Sequence, residues 1–148
     1  MDKSEKAAEL FMSGYNCSQA VCAAFAEDFG FPLDEVIRLS KGLGGGVGRL
    51  RETCGAVSGM AMVLSMKYAD SEPGNTANKT MLYSKIQQAA DMFREQHGSL
   101  NCGELIKMKR TTPIPDERTA EYYKKRPCVL LIQSAARILA GMLGEDNN

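Results

Sequence analysis

The sequence predicts an all-α fold, a single-domain bundle of about six to eight helices that spans residues 1–148. Apolar residues recur at spacings of three and four along nearly every segment, as they do on one face of a helix. Residues that are typical of helix starts and ends flank these segments. The 148 residues, 44% of them hydrophobic, are sufficient for one buried core.

Two helices are predicted before residue 30. Residues 4–12 form the first, because Ala7, Leu10 and Phe11 lie on one side of it. Residues 16–29 form the second, which is rich in alanine and carries apolar residues at the same spacings. A glycine follows each segment, and glycine favours a helix end.

The next two helices flank a glycine-rich loop. Residues 33–39 follow a proline, and residues 53–68 are mostly apolar, which predicts a buried helix. Five glycines lie between them in residues 42–48. This loop lacks the Gly-Lys-Ser/Thr ending of a P-loop, and no strand precedes it, so a nucleotide site is disfavoured. We expect its glycines to let the backbone approach the helix that begins near Cys54.

Four helices are predicted in the second half of the chain. Residues 76–97 form the longest one, which ends at Gly98. Short helices over residues 102–108 and 117–125 follow, and residues 127–143 form the last.

Composition excludes several functions. Lysine plus arginine and aspartate plus glutamate both number 18, so the formal net charge is zero. No basic excess favours nucleic acid, and no polybasic cluster favours an anionic membrane surface. The charged N-terminal residues are not typical of a signal peptide, and the apolar stretches are too short to span a bilayer. We therefore expect a cytoplasmic protein, in which cysteines are more often metal ligands or redox thiols than structural disulfides.

Four of the five cysteines follow residues that are typical of helix starts. A thiol in the first turn faces the positive end of the helix dipole, which favours the thiolate. Two of the preceding residues also have a capping-box partner, Gln19 or Glu104, three residues further on. The four are Cys17 after Asn16, Cys54 after Thr53, Cys102 after Asn101, and Cys128 after Pro127, which suits the first helical position.

The spacing of these cysteines leaves several kinds of site open. None forms a Cys-x-x-Cys pair, which argues against a zinc ribbon or a thioredoxin-type site. If the helix starts converge, at least three sulfurs share a pocket, and four thiolates suit an iron–sulfur cluster or another thiolate-bound metal. If two meet, they form a dithiol/disulfide couple. Buried free thiols in a core are the alternative. The candidate catalytic or metal-ligating residues are Cys17, Cys54, Cys102 and Cys128.

Three other features bear on the site. Cys22 lies about 140° around the helix from Cys17, so we interpret it as a small core residue. Arg49 and Arg51 precede Cys54, and they either add positive charge near its sulfur or are solvated. With the helix start and this positive charge, Cys54 is predicted to be among the two most acidic thiols. The single histidine, residue 97, comes before a C-cap glycine, where a positive charge stabilises the helix end. We therefore favour this role for His97 over metal ligation or acid–base catalysis.

Together these motifs resemble the C-GCAxxG-C-C family. The resemblance rests on Gly14-Tyr-Asn-Cys17-Ser-Gln-Ala20, Gly46-Val-Gly48-Arg49, Cys54-Gly-Ala-Val-Ser-Gly59, Cys102 and Cys128. One position departs from the family's motif, because Cys54 and Gly55 stand in the opposite order before Ala56. The resemblance implies a small bacterial or archaeal domain with a proposed redox role that rests on its cysteines.

Two classes of function follow from these observations. The first is a redox-active protein, either an iron–sulfur electron carrier or a thiol/disulfide oxidoreductase, with an unidentified redox partner. The second is a non-enzymatic helical domain that holds a structural metal or binds a partner. Neither involves nucleic acid or a membrane. Substrate and oligomeric state do not follow from the sequence.

Overall fold

The computed structural model describes residues 1–146, and in that range it contains eight α-helices, two short 3-10 helices and no strand. The predicted all-α fold is confirmed. The 3-10 helices are Ala26–Phe29 and Lys41–Leu43. The α-helices are α1 (Lys3–Met12), α2 (Cys17–Phe25), α3 (Leu33–Ser40), α4 (Gly55–Tyr68), α5 (Thr76–His97), α6 (Cys102–Ile106), α7 (Ala120–Lys125) and α8 (Cys128–Asp146).

Helices α1, α2, α4, α5 and α8 pack around one hydrophobic core. Every residue of α2 after Cys17 is buried, which explains its run of small and apolar side chains. Helix α4 crosses it closely, because a Cβ atom at Gly59 would lie only 2.8 Å from the Cβ of Val21. At the start of α4, a Cβ atom at Gly55 would lie 3.1 Å from the Cβ of Cys17. The packing therefore places the first turns of α2 and α4 side by side.

Two of the predicted helix caps form. Asn16 accepts a hydrogen bond from the backbone N–H of Gln19, and the Gln19 side chain accepts one from the Asn16 N–H, which completes a capping box. Asn101 accepts from the N–H of Glu104 at 2.9 Å, but the Glu104 carboxylate pairs with the hydroxyl of Ser99 instead. The N–H of Asn101 also donates to Ser99 Oγ. Ser99 thus replaces Glu104 in the second half of the predicted box.

The predicted start of α4 is wrong by two residues. Thr53 pairs with Asn101 in an isolated antiparallel β-bridge and caps no helix. The backbone stays extended through Cys54, which is itself the N-cap residue and makes no side-chain capping bond. Its N–H donates to the carbonyl of Leu100 at 2.8 Å. The β-bridge therefore delays the helix until Gly55.

Helix α8 begins one residue later than predicted. The carbonyl of Pro127 accepts a hydrogen bond from the N–H of Leu131 at 3.1 Å, which places Pro127 just before the first helical residue. Cys128 is that first residue.

The glycine-rich loop contains five consecutive residues with positive φ, residues 45–49. Glycine adopts this conformation freely, whereas Val47 and Arg49 do so at a cost of about 1–3 kcal/mol each. Close packing explains two of the glycines: a Cβ atom at Gly44 would collide with the Asn16 side chain, and one at Gly46 would lie 2.6 Å from the Cβ of Cys102. The loop therefore packs against the starts of α2 and α6. No helix in the described part of the chain is long and apolar enough to cross a membrane.

Candidate functional site

Four cysteines line one cavity of about 560 Å³. Cys17 is half-buried and the other three are buried, and all four carry free thiols. Three of them are the first residues of their helices and the fourth is an N-cap. These four helix starts therefore border one cavity. The four are Cys17 on α2, Cys54 before α4, Cys102 on α6 and Cys128 on α8.

Backbone pairing brings Cys54 and Cys102 together. The N–H of Cys54 donates to the carbonyl of Leu100, and the N–H of Cys102 donates to the carbonyl of Glu52 at 2.6 Å. These bonds flank the β-bridge described above and tie the start of α4 to the start of α6. Because both ties use backbone atoms, the side chains of the two cysteines remain free to line the cavity.

Cys17 and Cys128 lie close together in the cavity, and each changes the pKa of the other. Donation of the Cys17 S–H to the Cys128 sulfur raises the pKa of Cys17 well above its ordinary value, and burial raises it further. The same hydrogen bond lowers the pKa of Cys128 to about 7 against the opposing effect of burial, with help from Arg126, Arg118 and Arg51. At neutral pH this pair therefore contains one thiol and one sulfur that ionises readily.

The prediction that Cys54 is among the most acidic thiols is wrong. Burial raises the pKa of Cys54 to about 12, which outweighs the hydrogen bonds from the backbone of Ala56 and Val57. Neither nearby arginine compensates for that burial. The side chain of Arg49 extends to Thr112 and Asp116, and Arg51 donates to the sulfur of Cys102 at 3.7 Å.

An ion-pair cluster around Asp116 forms part of the cavity lining. Its Oδ2 accepts hydrogen bonds from Arg49 at 3.1 Å and from Arg126 at 2.5 Å. Burial raises the pKa of Asp116, but these two hydrogen bonds and the two positive charges lower it below its ordinary value overall. Asp116 is therefore an anion at neutral pH.

Arg118 joins the chain segment before α7 to the first helices. It donates to the carbonyls of Phe11 at 3.0 Å and Tyr15 at 3.1 Å, and its guanidinium lies 4.3 Å from the centroid of the Phe11 ring. Sequence reasoning missed Arg118 and Asp116 in this segment, because it extended the predicted helix back to residue 117, whereas α7 begins at Ala120 after the N-cap Thr119. The signal that the segment does contain is Pro113 and Pro115, since prolines hold an irregular connection in few conformations.

Cys22 and His97 lie outside this cavity. Cys22 is fully buried, with its sulfur 3.8 Å from the carbonyl oxygen of Gly59 and 3.7 Å from the sulfur of Met62, and burial raises its pKa to about 12. His97 packs against Phe93 at the end of α5, and burial lowers its pKa. Cys22 therefore has the surroundings of a core residue, as predicted.

The arrangement of donor atoms bears on metal binding. Within residues 1–146, no group of three or more histidine, cysteine, aspartate or glutamate side chains is spaced so that it could hold a metal ion. The four cysteines thus share a cavity in the described structure without forming a closed ligand shell.

The fold and the site define a class of protein, an all-α domain whose cysteines meet at the ends of separate helices. Residues 15–142 match the family described as "Putative redox-active protein (C_GCAxxG_C_C)". The chain belongs to this family, as its motifs predicted, and the family's description is of a redox protein with characteristic cysteines. No curated protein and no solved structure matches the chain.

Proposed function

We propose that this protein is a thiol/disulfide redox protein in which Cys128 is the nucleophile and Cys17 the resolving thiol. The observation that carries the proposal is the proximity of these two side chains, each of which shifts the pKa of the other, within a cavity that all four candidate cysteines line. A thiol that ionises readily next to a second thiol suits thiol–disulfide exchange, because a thiolate makes the first attack and the neighbouring thiol can resolve the mixed disulfide.

The reaction takes electrons from the two thiols and gives them to a disulfide substrate. The Cys128 thiolate attacks one sulfur of the substrate, so that a mixed disulfide forms and the other half leaves as a thiolate. Cys17 then transfers its proton to that leaving thiolate and attacks the sulfur of Cys128. The second half of the substrate leaves and takes up the proton that Cys128 had lost to solvent. One substrate disulfide becomes two thiols, and a Cys17–Cys128 disulfide forms.

The remaining two cysteines, Cys54 and Cys102, lie in different surroundings. Cys54 stays protonated at neutral pH because burial raises its pKa to about 12. Cys102 lies beside the positive charge of Arg51. We include both in the site because they line the cavity that contains the reacting pair, and we assign the first attack to neither.

A thiolate-bound iron–sulfur cluster or other metal is the second candidate. The convergence of four cysteines on one cavity favours it, since four thiolates are the usual ligands of such clusters. The spacing of the donor atoms in the described residues argues against a bound metal, because the side chains must move before they surround an ion. Metal analysis and optical spectroscopy after anaerobic purification decide between the two. A brown protein with charge-transfer absorbance supports the cluster, and a colourless, metal-free protein supports the dithiol.

Trapping of the mixed disulfide tests the first proposal. Reduced Cys17→Ser protein is treated with hydroxyethyl disulfide, and the adduct is located by mass spectrometry. We expect one adduct on Cys128, because the resolving thiol has been removed. Cys128→Ser protein should form an adduct at Cys17 more slowly, since burial still raises the pKa of Cys17 in that variant. Adducts that form equally in both variants would overturn the assignment of the nucleophile.

A further inference from the structure

The cavity that contains the four cysteines is lined by an excess of positive charge. Asp116 is the one acidic residue among the described residues that line it. Five cationic residues line the same cavity: Lys41, Arg49, Arg51, Arg118 and Arg126. A partly enclosed space with this balance of charge attracts anions, because its low-dielectric walls concentrate the field of the arginines.

Asp116 neutralises this charge only in part. Its Oδ2 is hydrogen-bonded to Arg49 and Arg126, and lies 3.9 Å from Nη2 of Arg51. The distance to Arg51 is that of a loose ion pair. One carboxylate therefore faces three guanidinium groups, and the guanidinium of Arg51 is the one that it satisfies least.

Arg51 itself is built into the cavity wall. Its side chain is only 6% exposed, and Nη1 donates to the sulfur of Cys102 at 3.7 Å. Its Nη2 is buried and has no hydrogen-bond partner among the described residues. The backbone of Arg51 has φ of 60°, a strained conformation for a residue other than glycine. A buried unsatisfied donor on a charged group is costly, and such a group is often completed by a ligand.

We propose that the cavity binds a small carboxylate-bearing disulfide, whose carboxylate accepts a hydrogen bond from Nη2 of Arg51 while its sulfurs reach Cys128. A guanidinium presents its N–H groups in a fork that matches a carboxylate. The volume of about 560 Å³ suits a small molecule. The reaction of this ligand rests on the proposed function, whereas its binding rests on the arginine geometry alone.

Paired disulfides that differ in charge test the proposal. Oxidation of the reduced protein by dithiodipropionate, a dianion, is compared with oxidation by hydroxyethyl disulfide, which is neutral. We expect the dianion to react at least about tenfold faster relative to their uncatalysed rates, the effect of one charge-assisted hydrogen bond. In Arg51→Gln protein this ratio should fall towards one. Any change in the acidity of Cys128 affects both reagents and cancels in the ratio.

Arg94→Gln is the matched control, because Arg94 lies on α5 outside the cavity wall with a side chain that is 56% exposed. Its ratio should equal that of the unaltered protein. If Arg51→Gln protein does not fold, Arg51→Lys keeps the charge but loses the fork, and its ratio should also fall. A ratio near one in the unaltered protein would overturn the proposal.

Calorimetric titration of the unaltered protein with suberate separates binding from chemistry. Suberate resembles dithiodipropionate in length and charge but contains no disulfide. Suberate binding without oxidation by either disulfide would support the anion site and overturn the redox proposal. Equal oxidation by both disulfides without suberate binding would overturn the anion site and leave the redox proposal standing.

Discussion

Thr53 and Asn101 pair as an isolated antiparallel β-bridge, at which two segments far apart in the chain meet. Asn101 is also the N-cap of α6, whereas the Thr53 side chain is exposed and caps no helix. The bridge holds Cys54 and Cys102 at one end of the bundle through backbone bonds. The two bridging residues thus contribute to the structure in different ways.

Alanine substitutions at these two positions should therefore differ in their effect on stability. Asn101→Ala removes a capping acceptor and should lower the free energy of unfolding by about 1 kcal/mol. Thr53→Ala removes no capping bond and should stay within about 0.5 kcal/mol of the unaltered protein. Urea denaturation measures both. A loss of about 1 kcal/mol in Thr53→Ala would show that residue 53 caps α4 after all.

The acidity of Cys128 predicts which thiol reacts at neutral pH. Its alkylation by iodoacetamide should reach half its maximal rate near pH 7, because its pKa is lowered to about 7. In Cys17→Ala protein the midpoint should move to higher pH, since the hydrogen bond that stabilises the thiolate has been removed. Mass spectrometry of the alkylated peptides measures each site.

Arg94→Gln, which changes a charge far from the cavity wall, should leave the Cys128 midpoint unchanged. Cys54 should titrate far above Cys128, because burial raises its pKa to about 12. A shared midpoint for Cys128 and Cys54 would contradict the electrostatic description of the site.

The glycine loop provides a test of close packing. In Gly46→Ala protein the new Cβ atom would lie 2.6 Å from the Cβ of Cys102, at a residue whose φ is 71°. Overpacking and backbone strain together should lower the free energy of unfolding by about 2 kcal/mol or more. Gly42→Ala is the control in the same loop, because its Cβ would meet no atom within 4 Å and its φ is not positive. Equal stability of the two variants in urea would refute the contact.

The buried thiol of Cys22 predicts an effect of alkaline pH on stability. Burial raises its pKa to about 12, above the value of about 8.5 for an exposed thiol. The protonated thiol therefore stabilises the fold below about pH 8.5, and this contribution is lost as the pH rises towards 12. Cys22→Ala should cost about 1 kcal/mol at neutral pH, weaken the alkaline loss and leave the thiol chemistry unchanged.

Val36→Ala is a suitable comparison for Cys22→Ala, because Val36 packs in the same small cluster and carries no ionisable group. Val36→Ala should lower the free energy of unfolding by the same amount at every pH between about 8.5 and 12. A slope with pH that is the same in Cys22→Ala as in the unaltered protein would contradict the raised pKa.

Local patterns were sufficient to predict most of the fold and the four cysteines that line the cavity. The bounds of α5 follow from apolar spacing and from the glycine that ends it, and the Asn16 cap follows from its capping box. The late start of α4 could not be predicted in this way, because it depends on the backbone pairing of Thr53 with Asn101, which no local pattern encodes.

The relative acidity of the thiols could not be predicted from the sequence either. A helix start predicts a lower pKa for each cysteine equally, whereas burial and hydrogen bonding separate Cys54 from Cys128. These two effects depend on neighbours from distant parts of the chain, such as Cys17 for Cys128. The direction in which an arginine side chain turns is likewise set by partners such as Asp116.

The measurement that tests the central claim most directly is a redox titration with disulfide mapping. Reduced protein is equilibrated in buffers of increasing oxidising potential, free thiols are blocked, and the linked peptides are identified by mass spectrometry. We expect Cys17–Cys128 to be the first disulfide that forms, while Cys22 remains a free thiol. A first disulfide that includes Cys22, or full oxidation with Cys17 and Cys128 still unlinked, would contradict the account.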